Sequence, residues 1–169
     1  MADKQRIGTV YTGIKENFFR LSGRLNRWRY FVLRVILAVL TYIFLLIGYK
    51  VLGYEYGQTT TTAAVYNGVI SLFFIVPTFC LNVRRLQDMN RGKLLAVVYA
   101  IMKAVMAFSD LTFNEFKYMD SAYSYFVLTL ATFSMLLDMY LMISPGTYGK
   151  NKYGEDPLAV KKVNLQKKV

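Results

Sequence analysis

The sequence predicts an all-α membrane protein: four transmembrane helices in a compact bundle, preceded by a short interfacial helix. Three observations carry that expectation. Long apolar stretches recur at about 30–49, 63–83, 94–108 and 123–143, and about 20 apolar residues suffice for a helix to cross the hydrocarbon core. Basic residues crowd only alternate connections between the stretches. Small residues recur at helical spacing inside each stretch.

Hydrophobic residues make up 55% of the 169 residues, yet the formal charge is +11. A soluble domain would spread such charge over its surface. Here it falls in blocks: Arg20, Arg24, Arg27 and Arg29 before the first stretch, Arg84, Arg85, Arg91 and Lys93 after the second, and Lys150, Lys152, Lys161 and Lys162 in the tail. The links at 53–62 and 109–122 are acidic on balance. Basic residues in short loops are retained on the cytoplasmic side. With four spans, all three basic blocks face the cytoplasm, both termini are inside, and the two acidic links are outside. The domain boundaries follow: 1–29 a cytoplasmic N-terminal segment, 30–143 the four-helix domain, 144–169 a cytoplasmic tail. The basic blocks read as topology signals facing anionic lipid, and no nucleic-acid partner is expected.

Each element has its own signal. Ile14, Phe18, Phe19 and Leu21 mix with Lys15, Arg20 and Arg24, which suits a short amphipathic helix in the inner headgroup layer. Trp28 and Tyr30 mark the interface. The first stretch is too long for a signal-peptide core, and no small-residue cleavage site follows it. It is therefore expected to remain as a span. Along it, Arg34, Ala38, Thr41 and Gly48 share a face. In the second span Ala64, Gly68, Ser71, Thr78 and Asn82 do, and Pro77 frees a carbonyl and bends the helix. Ala96, Ala100, Lys103 and Ala107 line the third, and Ala131, Ser134 and Asp138 the fourth. Small faces let membrane helices approach closely, so the four are expected to converge. The third span is the shortest. It continues toward Phe113, with Asp110 near the outer surface.

Arg34, Lys103 and Asp138 lie within spans, where ionisable groups are costly and seek partners. Arg34 lies ~6 Å and Asp138 ~7 Å from the inner ends of their spans at 1.5 Å per residue. Matched depth and opposite charge predict an Arg34–Asp138 contact. Lys103 lies deeper, ~13 Å from Leu94. It either reaches Asp138 or stays unpaired.

Three motifs are spaced across the chain. The first is Phe19-Arg20-Leu21-Ser22-Gly23-Arg24-Leu25-Asn26-Arg27. The second is Pro77 followed by Arg84-Arg85-Leu86-Gln87-Asp88-Met89-Asn90-Arg91. The third is Gly146-Thr147-Tyr148-Gly149-Lys150-Asn151-Lys152-Tyr153-Gly154-Glu155-Asp156-Pro157. Together they resemble the YhaH/YhaI-type bacterial inner-membrane proteins, a family known as domain of unknown function 805. The resemblance covers about residues 18–157. It implies a small multi-span protein of the bacterial inner membrane and no established activity. The family pattern has His where this chain has Gln87, and a Ser-Gly-Trp run where it has Gly92-Lys93-Leu94. With no histidine in the chain, roles that need imidazole are excluded.

The candidate site is a cytoplasmic arginine cap of Arg24, Arg27, Arg84, Arg85, Asp88 and Arg91. Arg84 and Arg85 precede Asp88 by four and three residues, which brings them to one surface. Asp88 is expected to hold one guanidinium and leave the other free. The tail motif residues Gly149, Asn151, Tyr153, Gly154, Asp156 and Pro157 make tight turns with Tyr148 and Tyr153 as interface anchors, and Glu155 and Asp156 fold back onto the arginines. The cap closes the bundle, and its guanidinium forks suit a lipid phosphate. The lone cysteine, Cys80, has no partner for a disulfide, and no cluster has metal-ligand or catalytic spacing. No cofactor, metal or catalytic residue is expected. The function expected is non-enzymatic: binding of anionic lipid or a partner protein through the cap. The alternative is an oligomeric small transporter or channel that uses Lys103 and Asp138.

Overall fold

The structure is a computed structural model that describes residues 13–52, 61–112 and 121–157. Among the described residues it is all-helical, with helices α1 (Ile14–Phe18), α2 (Arg27–Leu52), α3 (Thr61–Asp88), α4 (Leu94–Thr112) and α5 (Ser121–Ile143). Most of the two acidic links, and the basic residues near both termini, lie outside the described residues, as does Phe113.

The helix ends follow the sequence. Asn26 caps α2: its carbonyl receives the Tyr30 N–H at 3.0 Å and its side-chain oxygen the Arg29 N–H at 2.8 Å, which satisfies donors the first turn leaves open. At the far end of α3, Asn90 takes the left-handed conformation with φ 58°. The Arg91 N–H then reaches the Leu86 carbonyl at 2.8 Å and the Asn90 N–H that of Gln87 at 3.1 Å. This is the Schellman stop.

Helices α2, α3 and α5 contain stretches long and apolar enough to cross a membrane: Arg27–Val51, Thr62–Asp88 and Tyr123–Ile143. The apolar part of α4, Leu94–Phe108, is shorter. It spans about 22 Å at helical rise, against a hydrocarbon core of about 30 Å. Lys103 sits within it. Helix α3 runs unbroken through Pro77. It packs chiefly against α4 and α2, and α5 lies more lightly against α4 and α2.

The small faces of α3, α4 and α5 turn inward: Ala64, Gly68, Thr78, Asn82, Ala96, Ala107 and Ser134 are buried. In α2 the inward face differs from the expectation. Ala38 is exposed, and Tyr30, Leu33 and Leu37 are buried instead. Tyr30 is therefore not an interface anchor. Trp28 is 72% exposed and stacks on Phe31. Gly48 does pack inward, because Tyr66 donates to the Phe44 carbonyl at 2.7 Å and lays its ring where a Cβ of residue 48 would stand.

The apolar core is concentrated at one end of the helices. Leu25, Tyr30, Leu33, Leu81, Leu86, Ala96 and Leu141 meet where α2 and α4 begin and α3 and α5 end. Toward the other end, α3, α4 and α5 part around an open apolar cavity of about 460 Å³, lined by Leu72, Ala104, Val105, Phe108, Phe126 and Leu130 among others. Large apolar side chains on the outer faces, such as Val35, Ile43, Leu128 and Leu136, are exposed, as lipid-facing residues are.

Candidate functional site

The site grows from the end of α3. A helix leaves its last four carbonyls without internal partners; Met89 and Arg91 take those of Arg85 and Leu86, and the other two motifs bond to the carbonyls beside them. Leu25 donates its N–H to the Arg84 carbonyl at 3.2 Å. Thr147 donates both its N–H and its hydroxyl to the Asp88 carbonyl, each at 2.9 Å. The Asn151 side-chain amide donates to the Gln87 carbonyl at 2.9 Å and to the Thr147 hydroxyl at 2.9 Å.

Charge closes the same junction. Asp88 accepts Arg24 Nε on one oxygen at 3.0 Å and Arg85 Nη1 on the other at 2.6 Å. All three side chains are almost fully buried. The remaining guanidinium donors go to main-chain carbonyls. Arg24 donates to those of Thr147, Gly149 and Gly154. Arg85 donates to those of Leu141 at 2.8 Å, Leu25 at 3.3 Å, and Ser144. A buried ion without partners costs several kcal/mol, so these bonds are what allow the cluster to exist. Arg84 turns the other way and donates to the Glu16 and Asn17 carbonyls of α1 at 3.2 and 3.0 Å.

The tail is shaped to receive Arg24. Gly146 lies so close to Asp88 that a Cβ there would run into its carboxylate. Gly149 and Gly154 hold φ of 72° and 134°. Asn151 and Gly154 exchange backbone hydrogen bonds of 3.1 Å, and the Asn151 side chain accepts the Tyr153 N–H at 2.8 Å. Asp156 accepts the Gly149 N–H at 3.1 Å. Carbonyls of residues 147, 149 and 154 are thereby aimed at one guanidinium.

The arrangement departs from the expected cap in three ways. Asp88 does not hold one of Arg84 and Arg85 and leave the other free: it holds Arg85 and Arg24, and Arg84 is engaged on α1. Glu155 does not reach the arginines, since it pairs with Lys150 at 3.5 Å on the surface. Arg27 and Arg91 do not bond to Asp88. Arg27 is exposed and donates to the Ile143 carbonyl at 3.3 Å, and Arg91 lies over the Tyr140 ring at 5.6 Å. The tail anchors also separate: Tyr148 is 91% exposed, whereas Tyr153 is half-buried beneath Lys152. Pro157 is half-buried at the end of the described tail.

Deeper in the helices, Arg34 meets Asp138 at 2.5 Å, as depth and charge predicted. Sequence reasoning missed the groups around the pair. Tyr99 donates to the second Asp138 oxygen at 2.8 Å, and Arg34 donates to the hydroxyls of Tyr99 at 3.1 Å and Thr78 at 3.2 Å. One turn nearer the arginines, Tyr30 donates to Asn82 at 2.9 Å, both fully buried. Tyr30, expected as an interface anchor, is instead this buried donor. Lys103 makes no ion pair among the described residues. Its ammonium lies 5.6 Å from the Tyr99 ring, so it points back toward the polar end.

Between the α2 start and the tail lies a cleft of about 110 Å³, walled by Arg24, Asn26, Arg27, Asp88, Asp156 and the segment 145–148. Among the described residues, no three His, Cys, Asp or Glu side chains gather as metal ligands would.

Three motifs far apart in sequence thus meet in one buried junction at the end of an apolar helical assembly. The class this defines is a helical protein with membrane-spanning segments and a polar, arginine-centred closure at one end. The chain belongs to a family of proteins of unknown function, DUF805, whose model matches residues 18–155. That stretch holds all three motifs almost entire. No curated protein and no solved structure matches the chain.

Proposed function

We propose that this chain is a non-enzymatic, multi-pass protein of the bacterial inner membrane. Helix α4 is its fourth span, both termini are cytoplasmic, and its basic end binds anionic lipid. The observation that carries the reading is the division of labour among the cations. Arg24, Arg84 and Arg85 are turned inward and bonded to the chain itself. They serve as the closure of a four-helix bundle, and the phosphate-binding role passes to other residues. Arg27, Arg91, Lys93, Lys150 and Lys152 remain exposed around it, beside the exposed apolar and aromatic side chains of Phe19, Leu21, Trp28 and Tyr148. A collar of cations interleaved with amphipathic rings suits an anionic headgroup layer. A partner protein with an acidic surface would engage the same collar.

Asp138 is held on both oxygens, by Arg34 and Tyr99. That favours an ordering role for the intramembrane pair over a proton path.

The test is native mass spectrometry of the full chain released from phosphatidylglycerol-containing detergent micelles. Several bound phosphatidylglycerol molecules are expected, with fewer in a variant carrying Lys93→Gln, Lys150→Gln and Lys152→Gln. Undiminished binding in that variant contradicts the collar. Activity reporters fused after Val169 test the orientation: activity confined to the periplasm contradicts it.

A further inference from the structure

Two enclosed donors between α2 and α3 find no acceptor on the protein. Asn82 is fully buried, and its Oδ1 accepts the Tyr30 hydroxyl at 2.9 Å, yet its Nδ2 has no hydrogen-bond partner among the described residues. Arg34 directs Nη1 to Thr78 and Nη2 to Tyr99 and Asp138, but its buried Nε donates to nothing among them. Such donors are rare in a native fold, and each one points to a bound ion or water.

The two donors belong to one layer. Tyr30 and Arg34 are four residues apart on α2, and Asn82 and Thr78 are four residues apart on α3, in the opposite chain sense. The Tyr30–Asn82 and Arg34–Thr78 hydrogen bonds are therefore rungs of one antiparallel ladder, set about 6 Å apart at 1.5 Å per residue. The Tyr30 hydroxyl, bonded to Asn82, is also an electrostatic neighbour of the Arg34 guanidinium.

Charge and hydrogen-bonding capacity select the ligand. Arg34 and Lys103 both lie near the Tyr99 ring, at 5.9 and 5.6 Å, and Asp138 is the carboxylate bonded beside them. Two cations thus stand against one anion. Both Asp138 oxygens and the Asn82 oxygen already accept hydrogen bonds. A water that accepts from Nδ2 and Nε still has two protons of its own to place, and it leaves the charge uncorrected. A monoatomic anion accepts from both donors, brings no proton, and balances the layer. The rungs on either side are direct side-chain contacts, which leaves no place between them for a polyatomic oxyanion.

We propose that one halide ion, of which chloride is the common one, binds between α2 and α3 on Asn82 Nδ2 and Arg34 Nε. The site goes beyond lipid binding at the collar and does not depend on it.

The experiment purifies the full chain in detergent with gluconate as the only small anion. Chloride, bromide or sulfate then replaces gluconate at constant ionic strength while thermal melting is followed. A ligand that binds only the folded chain stabilises it by mass action, so melting is expected to rise by several degrees, saturably, with either halide and not with sulfate. The rise is expected to vanish in Asn82→Leu, which removes the amide. It is also expected to vanish in Asn82→Asp, whose fixed carboxylate replaces the ion and still accepts the Tyr30 hydroxyl; this variant carries the test if Asn82→Leu does not fold. In the wild type, the 15N-labelled Asn82 side-chain amide is expected to shift on halide titration, by different amounts for chloride and bromide. Equal melting in chloride and gluconate overturns the proposal. So does a halide effect that survives in Asn82→Asp, because that effect belongs to screening of exposed charge. An Asn82 amide that contacts water and shows no halide shift overturns it in favour of a water molecule.

Discussion

Asp88 and Asp138 are both carboxylates held by arginine inside the helical assembly, and they do different work. Asp88 is 5% exposed and holds two guanidinium groups, that of Arg85 on its own helix and that of Arg24, 64 residues away. Its neighbours Gly146 and Thr147 leave no room for another side chain. Asp138 is 20% exposed, is held by one guanidinium and one phenol, and joins helices that already pack side by side. Each neutralises buried charge, but only Asp88 closes the fold, because the carbonyls around it belong to the irregular segments before α2 and after α5. An ion pair becomes structural when the chain ends are tied to it.

The comparison breaks most sharply at Asp88 itself. Asp88→Ala strands two buried guanidinium groups, and removing one partner from a buried pair costs about 3–5 kcal/mol. In a detergent melting assay the variant is expected to unfold tens of degrees early or to fail to purify as a single species. Gly146→Ala forces a methyl into the Asp88 carboxylate, and overpacking costs about 1–3 kcal/mol; the same assay reads it. A position with no close contact, Gly92→Ala, is the matched control and is expected to melt with the wild type. Asn90→Val places a branched residue in the left-handed conformation, at about 1–2 kcal/mol, whereas Asn90→Gly is expected to be neutral. Asp138→Ala is expected to lose about 1 kcal/mol, the scale of polar contacts between membrane helices. Wild-type melting in that variant counts against the pair. Smallest of all, Lys150→Ala breaks an exposed pair, and no measurable change in melting is expected.

Much of the fold was written in patterns that a single segment carries. Apolar length marked α2, α3 and α5, and small-residue spacing marked the inward faces of α3, α4 and α5. Depth along two spans sufficed to pair Arg34 with Asp138. What a single segment does not carry was misread or missed. Tyr30 resembles an interface anchor until Asn82 on another helix supplies its hydrogen bond. Small-residue spacing points the inward face of α2 through Ala38, whereas the face is set by the large side chains of Tyr30, Leu33 and Leu37, which join the core with residues of the other helices. Arg24 lies in an irregular segment without periodicity, so nothing local pointed it at Asp88 or at carbonyls 123 to 130 residues away. The Schellman stop at Asn90 was legible in principle, since asparagine after a helical run is a recognised terminator. The glycines of the tail were legible as turns, but not as a receptacle for a guanidinium.

A double-mutant cycle on Arg24 and Asp88, scored by thermal stability of the full chain in detergent, tests the central claim most directly. Arg24→Met, Asp88→Asn and the double variant are compared with the wild type. The arginine junction predicts strong non-additivity, with a coupling energy of about 1–3 kcal/mol. Losses that simply add would mean that the first and second motifs do not meet.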